Sequence, residues 1–211
     1  MNAARVDEHD AVEDFTTQGK SQLTPEDWIA AAAELLVDKS IDSVRIDVLA
    51  RGMKVTRGSF YWHFKDRNDL LERLLKRWRS EATAQVIHRF EKSGARPHDL
   101  IRELVSLPFR GRAALHSASI ELGIRAWARR DAMARQVVDD VDAQRLSYIA
   151  QCFSALGFGI SDARHRAFML YGYMLTESLL GAHGTERQQL ERREFTERVV
   201  MDRRPWNEAS R

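Results

Sequence analysis

Between Arg45 and Arg67 the chain reads RIDVLARGMKVTRGSFYWHFKDR, and its side chains are of the kinds that meet a nucleic acid. Ile46, Leu49, Ala50 and Met53 recur at the spacing of one buried helical face, while Asp47, Arg51 and Lys54 fall elsewhere. Thr56 stands where an N-cap hydroxyl can accept the backbone N–H of Ser59, and Phe60 and Phe64 lie four apart on one side of the segment after it. A second short helix is therefore expected from Arg57. Its remaining residues, Arg57, Ser59, Tyr61, Trp62 and His63, are cationic, hydroxylic and aromatic, a set suited to phosphates and base edges. A solvated helix face with no partner more often carries Glu and Lys. From Arg45 to Arg79 ten cations stand against four anions, a local charge of about +6 in a chain whose formal net charge is +2. Charge alone fits a solvated face as well as a polyanion site; beside a helix-turn-helix it points to DNA.

The elements needed to hold that pair are legible on either side. Thr24 as N-cap, Pro25 at the first helical position and the acids Glu26 and Asp27 predict a helix start, with Ile29, Ala32, Ala33 and Leu36 on its buried face. Asp66 and Asp69 frame another start, leading into the apolar set Leu70, Leu71, Leu74, Leu75 and Trp78, and helicity is expected to about Glu91. Ser93, Gly94 and Pro97 mark the break. Further helices are expected over about 98–107, 115–129, 132–156, 162–182 and 185–201, with no strand signal. The stretch Ala167–Leu180 is apolar nearly all round, which predicts burial on several sides. The fold class is all-α.

The segment VTRGSFYWHFKDRNDLL closely resembles the recognition-helix signature of TetR-family (tetracycline-repressor-like) transcriptional regulators, and the resemblance runs from about Leu23 to Leu75. It implies a three-helix DNA-binding domain over 23–67 and a helical-bundle domain over 68–202 that dimerises and binds a small-molecule effector. A disordered acidic arm is expected over 1–22 and a flexible tail over 203–211. The resemblance places Thr56, Arg57, Gly58, Ser59, Tyr61, Trp62 and His63 on the groove-facing helix, with Lys65 and Arg67 just after it. Arg57 is the expected base contact, since its fork matches guanine O6 and N7; Ser59 is a second candidate. Tyr61, His63, Lys65 and Arg67 are expected on phosphates, and Gly58 permits close backbone approach. Packing against the first helix is the alternative for Tyr61 and Trp62. Two positions depart from the family pattern. Where the family usually has glycine stands Lys54, so either Lys54 adopts a left-handed backbone or Gly52 ends the helix early and the turn lengthens. Arg45 replaces the usual capping Ser or Thr; it cannot cap in that way, but it can reach a phosphate. The resemblance also implies that the last two long helices pair with their twofold mates, and that a palindromic operator is released on effector binding.

The 211 residues suffice for one or two compact domains. Cys152 is the only cysteine, which excludes an intrachain disulfide, fits a reducing cytoplasm and reads as a small buried hydrophobe. The acidic first residues lack the apolar core of a signal peptide, and runs such as AFMLYGYML fall short of the ~20 residues of a membrane span. A soluble, cytoplasmic bacterial protein without a membrane partner is expected.

For the effector, Phe109, Trp127, Met133, Phe153, Phe168, Tyr171, Tyr173 and Met174 are candidates to line a partly apolar cavity, each also readable as ordinary core. Glu121 and Glu177 are acids set among apolar residues. Arg125, four residues on, offers Glu121 an ion pair; the alternative is a carboxylate that meets the effector. An enzyme reading finds little support. Asp162-Ala-Arg-His165 has the carboxylate-x-x-His spacing of a helical metal site but lacks its paired partners, and no phosphate-binding glycine loop or activated nucleophile is evident. No cofactor, metal or catalytic residue is assigned. A DNA-binding protein whose second domain only dimerises, and a helical-bundle enzyme, are the two alternatives.

Overall fold

The computed structural model describes residues 23–180 and 183–203. The arm expected over 1–22 and, apart from Arg203, the tail lie outside them. Every regular element among the described residues is helical. The first helix, α1 (Pro25–Asp38), opens with a reciprocal cap: the Asp27 N–H donates to the Thr24 hydroxyl at 3.3 Å, and the Thr24 N–H to the Asp27 carboxylate at 2.8 Å. Next come α2 (Ile46–Gly52) and the four-residue α3 (Arg57–Phe60). Between them Lys54 has φ 57°, the first of its two expected alternatives, and the Val55 N–H closes the turn onto the Ala50 carbonyl at 2.9 Å. Holding a side chain there costs about 1 kcal/mol or more.

The start of α3 corrects the expected cap. The Thr56 hydroxyl makes no cap bond; instead the Thr56 carbonyl accepts the Ser59 N–H at 3.1 Å. In so short a helix the tight i→i+3 bond satisfies that donor, and the exposed hydroxyl is left to solvent. Asp66 does cap α4 (Arg67–Arg79), accepting the Asp69 N–H at 2.9 Å. A π-helical turn, Ser80–Ala84, carries α4 into α5 (Gln85–Ser93), and Gly94 ends the run at φ 61°. The rest of the chain forms α6 (Pro97–Ser106), α7 (Gly111–Ala128), α8 (Ala132–Ala155), α9 (Ile160–Leu180) and α10 (Glu186–Met201).

Two apolar clusters hold these helices. The first gathers Trp28, Leu36, Phe60, Phe64, Leu74 and Trp78, and reaches into Ile124 and Trp127 of α7 and Val138 and Val141 of α8. There α1 lies so close to α7 that a Cβ on Gly123 would stand 3.0 Å from Leu36. The second unites Phe90, Ile101, Leu104, Ile149, Phe153 and Leu170. Within the single chain α9 is not buried on several sides as a core helix would be. Ala163, Ala167, Leu170 and Tyr171 are buried, but Ile160, Phe168, Met169, Leu179 and Leu180 are exposed, because among the described residues the other helices cover one side of α9.

Candidate functional site

The surface around α3 rests on an aromatic stack. Phe60 lies parallel to Phe64 at 5.1 Å between ring centroids and meets the buried Trp28 edge-on at 5.2 Å. Arg73 of α4 sits 4.9 Å over the Phe64 ring and is itself paired with Asp69 at 2.8 Å. This stack fixes where the outward residues of α3 stand.

On that base Arg57 and Lys65 are exposed, and neither guanidinium nor ammonium has a hydrogen-bond or ion-pair partner among the described residues. Trp62 is 82% exposed, so packing against α1 is excluded for it. Tyr61, also exposed, rests its edge on Phe60 at 5.3 Å. Gly58 is open: a Cβ there would meet only the Thr56 hydroxyl, at 3.7 Å. Thr56 is exposed and Ser59 half-buried. His63 is half-buried beside Phe64, and its Nε2 is buried without a hydrogen-bond partner among the described residues.

Two of the expected phosphate contacts are engaged within the chain. Arg45 caps nothing and pairs through Nε with Asp47 at 3.1 Å, on an exposed surface. Arg67 is half-buried and donates to the Val44 carbonyl at 2.6 Å and the Ile41 carbonyl at 2.7 Å. Its visible work is to tie the start of α4 to the turn before α2. The sequence holds no signal for this, because the acceptors are backbone carbonyls more than twenty residues away.

Behind α4, a cavity of about 440 Å³ lies between the π-helical turn, α5 and α6 on one side and α7, α8 and α9 on the other. Of the candidate effector residues, Glu121, Tyr171 and Met174 line it. The others do not. Trp127 and Met133 belong to the first core, Phe153 is buried in the second, and Phe109 is half-buried in the turn before α7. Phe168 is 70% exposed on the open side of α9. Tyr173 is half-buried, and its hydroxyl has no hydrogen-bond partner among the described residues. Glu177 is buried and held by Arg192 at 2.6 and 3.0 Å.

At the cavity floor Glu121, Arg145 and Tyr171 belong to a polar cluster that Arg125 and Asp142 complete from behind. Glu121 forms its expected pair with Arg125, at 3.0 Å, but a second and unforeseen arginine binds it more fully. Arg145 donates to Glu121 from NH1 at 2.9 Å and from NH2 at 3.0 Å. The same guanidinium reaches the Tyr171 hydroxyl at 3.1 Å, the Thr83 hydroxyl at 3.0 Å and the Ala82 carbonyl at 3.1 Å. Asp142 accepts from Arg125 at 2.5 and 3.0 Å and from Tyr171 at 2.6 Å. Burial alone would push the Glu121 carboxyl upward; Arg145 and then Arg125 outweigh it and hold the group below its usual range. Asp142 is lowered likewise, against its own burial, by Arg125 and Tyr171. Burial pushes the Tyr171 hydroxyl up to about 12, and the hydroxyl donates to Asp142.

Asp162 is paired with Arg166 at 2.9 Å, and among the described residues no three His, Cys, Asp or Glu side chains gather as a metal site. No helix there is long and apolar enough to cross a membrane.

Residues 29–74 match the family model described as bacterial regulatory proteins, tetR family. The chain is 27% identical over 89 residues to the HTH-type transcriptional regulator AcrR of Shigella flexneri, a stretch covering 42% of this chain and 41% of that one. It is 37% identical over 68 residues to the HTH-type transcriptional repressor Rv1353c of Mycobacterium tuberculosis, covering 29% and 26%. The chain thus spans less than half the length of these curated relatives. A crystal structure described as that of a TetR-family transcriptional regulator from Rhodococcus sp. superposes with a TM-score of 0.64 at 20% identity, over 84% of this chain and 98% of that one, and so shares the fold.

Proposed function

From a chain that belongs, through residues 29–74, to the TetR family of bacterial regulatory proteins, we propose a transcriptional repressor that binds a twofold-related operator as a homodimer and leaves it when a small molecule fills the cavity. The observation that carries the DNA part is the state of Arg57. It is an exposed guanidinium without a partner among the described residues, on a short helix whose position is set by the stacked Phe60 and Phe64. An arginine fork held in that way is suited to a guanine edge, with Lys65 and Trp62 beside it for the backbone. In this reading residues 23–67 form the reading head and 68–202 the body.

Support for the dimer comes from α9. Phe168, Met169, Leu179 and Leu180 form an apolar face left exposed among the described residues, and Leu190 and Phe195 of α10 are exposed as well. Gly172 lies in the middle of this helix, where a Cβ would meet nothing within 4 Å. A glycine that costs a helix about 1 kcal/mol without relieving any crowding in its own chain suits a close crossing with a second copy.

Coupling between cavity and head runs through Arg145. Its bonds to Ala82 and Thr83 grip the π-helical turn that continues α4, while its bonds to Glu121 and Tyr171 belong to the cavity wall. A ligand that favours another arrangement of this guanidinium shifts α4 and the spacing of the two heads. It acts only through its differential affinity for the two states. Selection of bound fragments from a random DNA library tests the proposal: recovery of one sequence with twofold symmetry is expected, and recovery without sequence preference would overturn it.

A further inference from the structure

The charges around the cavity cancel in pairs with one exception. Glu81 is held by Arg77 at 2.8 Å, Arg110 is paired with Glu103, and Glu121 and Arg145 hold each other. Arg125 and Asp142, just behind the floor, close the cluster. Arg89 of α5 also lines the cavity, is exposed, and has no hydrogen-bond or ion-pair partner among the described residues. The cavity therefore presents one uncompensated positive charge beside walls that are otherwise largely apolar, among them Ile87, Phe90, Leu104, Leu107, Ile149 and Met174. The acids give a cation little to bind. Both Glu121 oxygens already accept from arginines, and a cationic ligand would raise a local charge that is already positive.

We propose that the cavity's ligand is an amphipathic monoanion, with an apolar body against the α5, α6 and α9 walls and a carboxylate-like oxyanion on Arg89. This rests on reading the cavity as the effector site and adds the chemical class of the effector. Charge complementarity selects the head group: the guanidinium fork donates two parallel hydrogen bonds to a planar oxyanion, and a neutral or cationic head forfeits that pairing. The apolar body supplies most of the affinity by leaving water, and a cavity of about 440 Å³ has room for a chain or ring system of about ten carbons.

The test uses three probes with the same ten-carbon chain, decanoate, decan-1-ol and decylamine, the first and last below their micelle concentrations and the alcohol below its solubility limit. Thermal stability of the full-length protein and release of a selected operator fragment are both read. Decanoate is expected to stabilise the protein at about tenfold lower concentration than the other two, and Arg89→Gln should close that gap while leaving the unliganded protein as stable as before. Equal or better stabilisation by decanol or decylamine, no stabilisation by any probe, or a decanoate preference that survives in Arg89→Gln would each overturn the proposal. The two readouts separate the claims. Stabilisation and DNA release by decanol or decylamine would sink the monoanion and keep the effector site, whereas decanoate stabilising a protein that stays on DNA would keep the monoanion and sink the effector reading.

Discussion

Arginine is used in opposite ways in the two halves of the molecule. Around α3, Arg57 stands exposed and unpaired among the described residues, and the chain gives up nothing of its own to keep it there. At the cavity floor, Arg145 is 15% exposed as a side chain and each of its nitrogens is bonded to a neighbouring element. The first guanidinium is the one proposed to meet DNA; the second is part of what keeps α7, α8, α9 and the continuation of α4 in register. Removing each should therefore damage different things.

The largest effect belongs to the floor. Glu121→Ala leaves Arg145 with an uncompensated charge in a largely buried setting and should cost about 3–5 kcal/mol, read as a fall in the urea midpoint. The same substitution at Arg57 should move stability by no more than about 0.5 kcal/mol. Equal losses at both would break the comparison.

The next effect is on DNA. Arg57→Ala should cost the selected sequence about 1–3 kcal/mol and random DNA much less, whereas Lys65→Ala should weaken both alike and reduce the salt slope by about one. Competition binding at several salt concentrations separates the two outcomes, and indistinguishable variants would remove the assignment of base and phosphate roles.

Acid titration sharpens the contrast further. Glu121 and Asp142 are held below their ordinary values of 4.5 and 3.8, so the folded state binds fewer protons than the unfolded chain as those values are approached. Their contribution is present in full above that range and is lost as the pH falls through the lowered folded values. Glu121→Gln should flatten the acid limb of a stability profile, while Arg57→Ala should leave its shape alone. A Glu121→Gln profile superimposable on the parent's would show that the cluster does not titrate in this way.

The smallest effect is at the turn. Lys54→Gly relieves the left-handed backbone at φ 57° and should raise stability by about 0.5–1 kcal/mol, with only a modest loss of DNA affinity from the missing charge. Destabilisation would mean that the Lys54 side chain contributes something beyond its charge.

Legibility in the sequence tracks the range of the interaction. Thr24 and Asp66 cap as expected because their acceptors and donors are three residues apart. The pairs Phe60–Phe64 and Glu121–Arg125 come from the four-residue helical repeat. Lys54 reads as one of two conformations, since a turn that usually takes glycine admits few solutions. Thr56 misleads because its carbonyl competes with its hydroxyl for the same N–H, and sequence does not say which wins. The floor cluster escapes a sequence reading because Arg145 meets Glu121 across two helices. One signal is nevertheless present: Val138, Val141, Ile149 and Cys152 form a buried stripe on α8, and Arg145 occupies the step between Val141 and Ile149. An arginine within an apolar stripe must find acids, and Glu121 and Asp142 are there to be matched. For α9 the pattern gives its apolarity correctly, but a single chain cannot show which neighbour an apolar face meets.

The central claim is that the unpaired cations of the head await a specific DNA. Its most direct test is a salt titration of the purified protein on DNA from around its own gene and on random DNA of equal length. Preferential binding to the first, with a steep negative salt slope that Arg57→Ala brings down to the level of random DNA, is the predicted result. Equal and weak binding to that DNA and to every fragment recovered by selection, unchanged by Arg57→Ala, would contradict it.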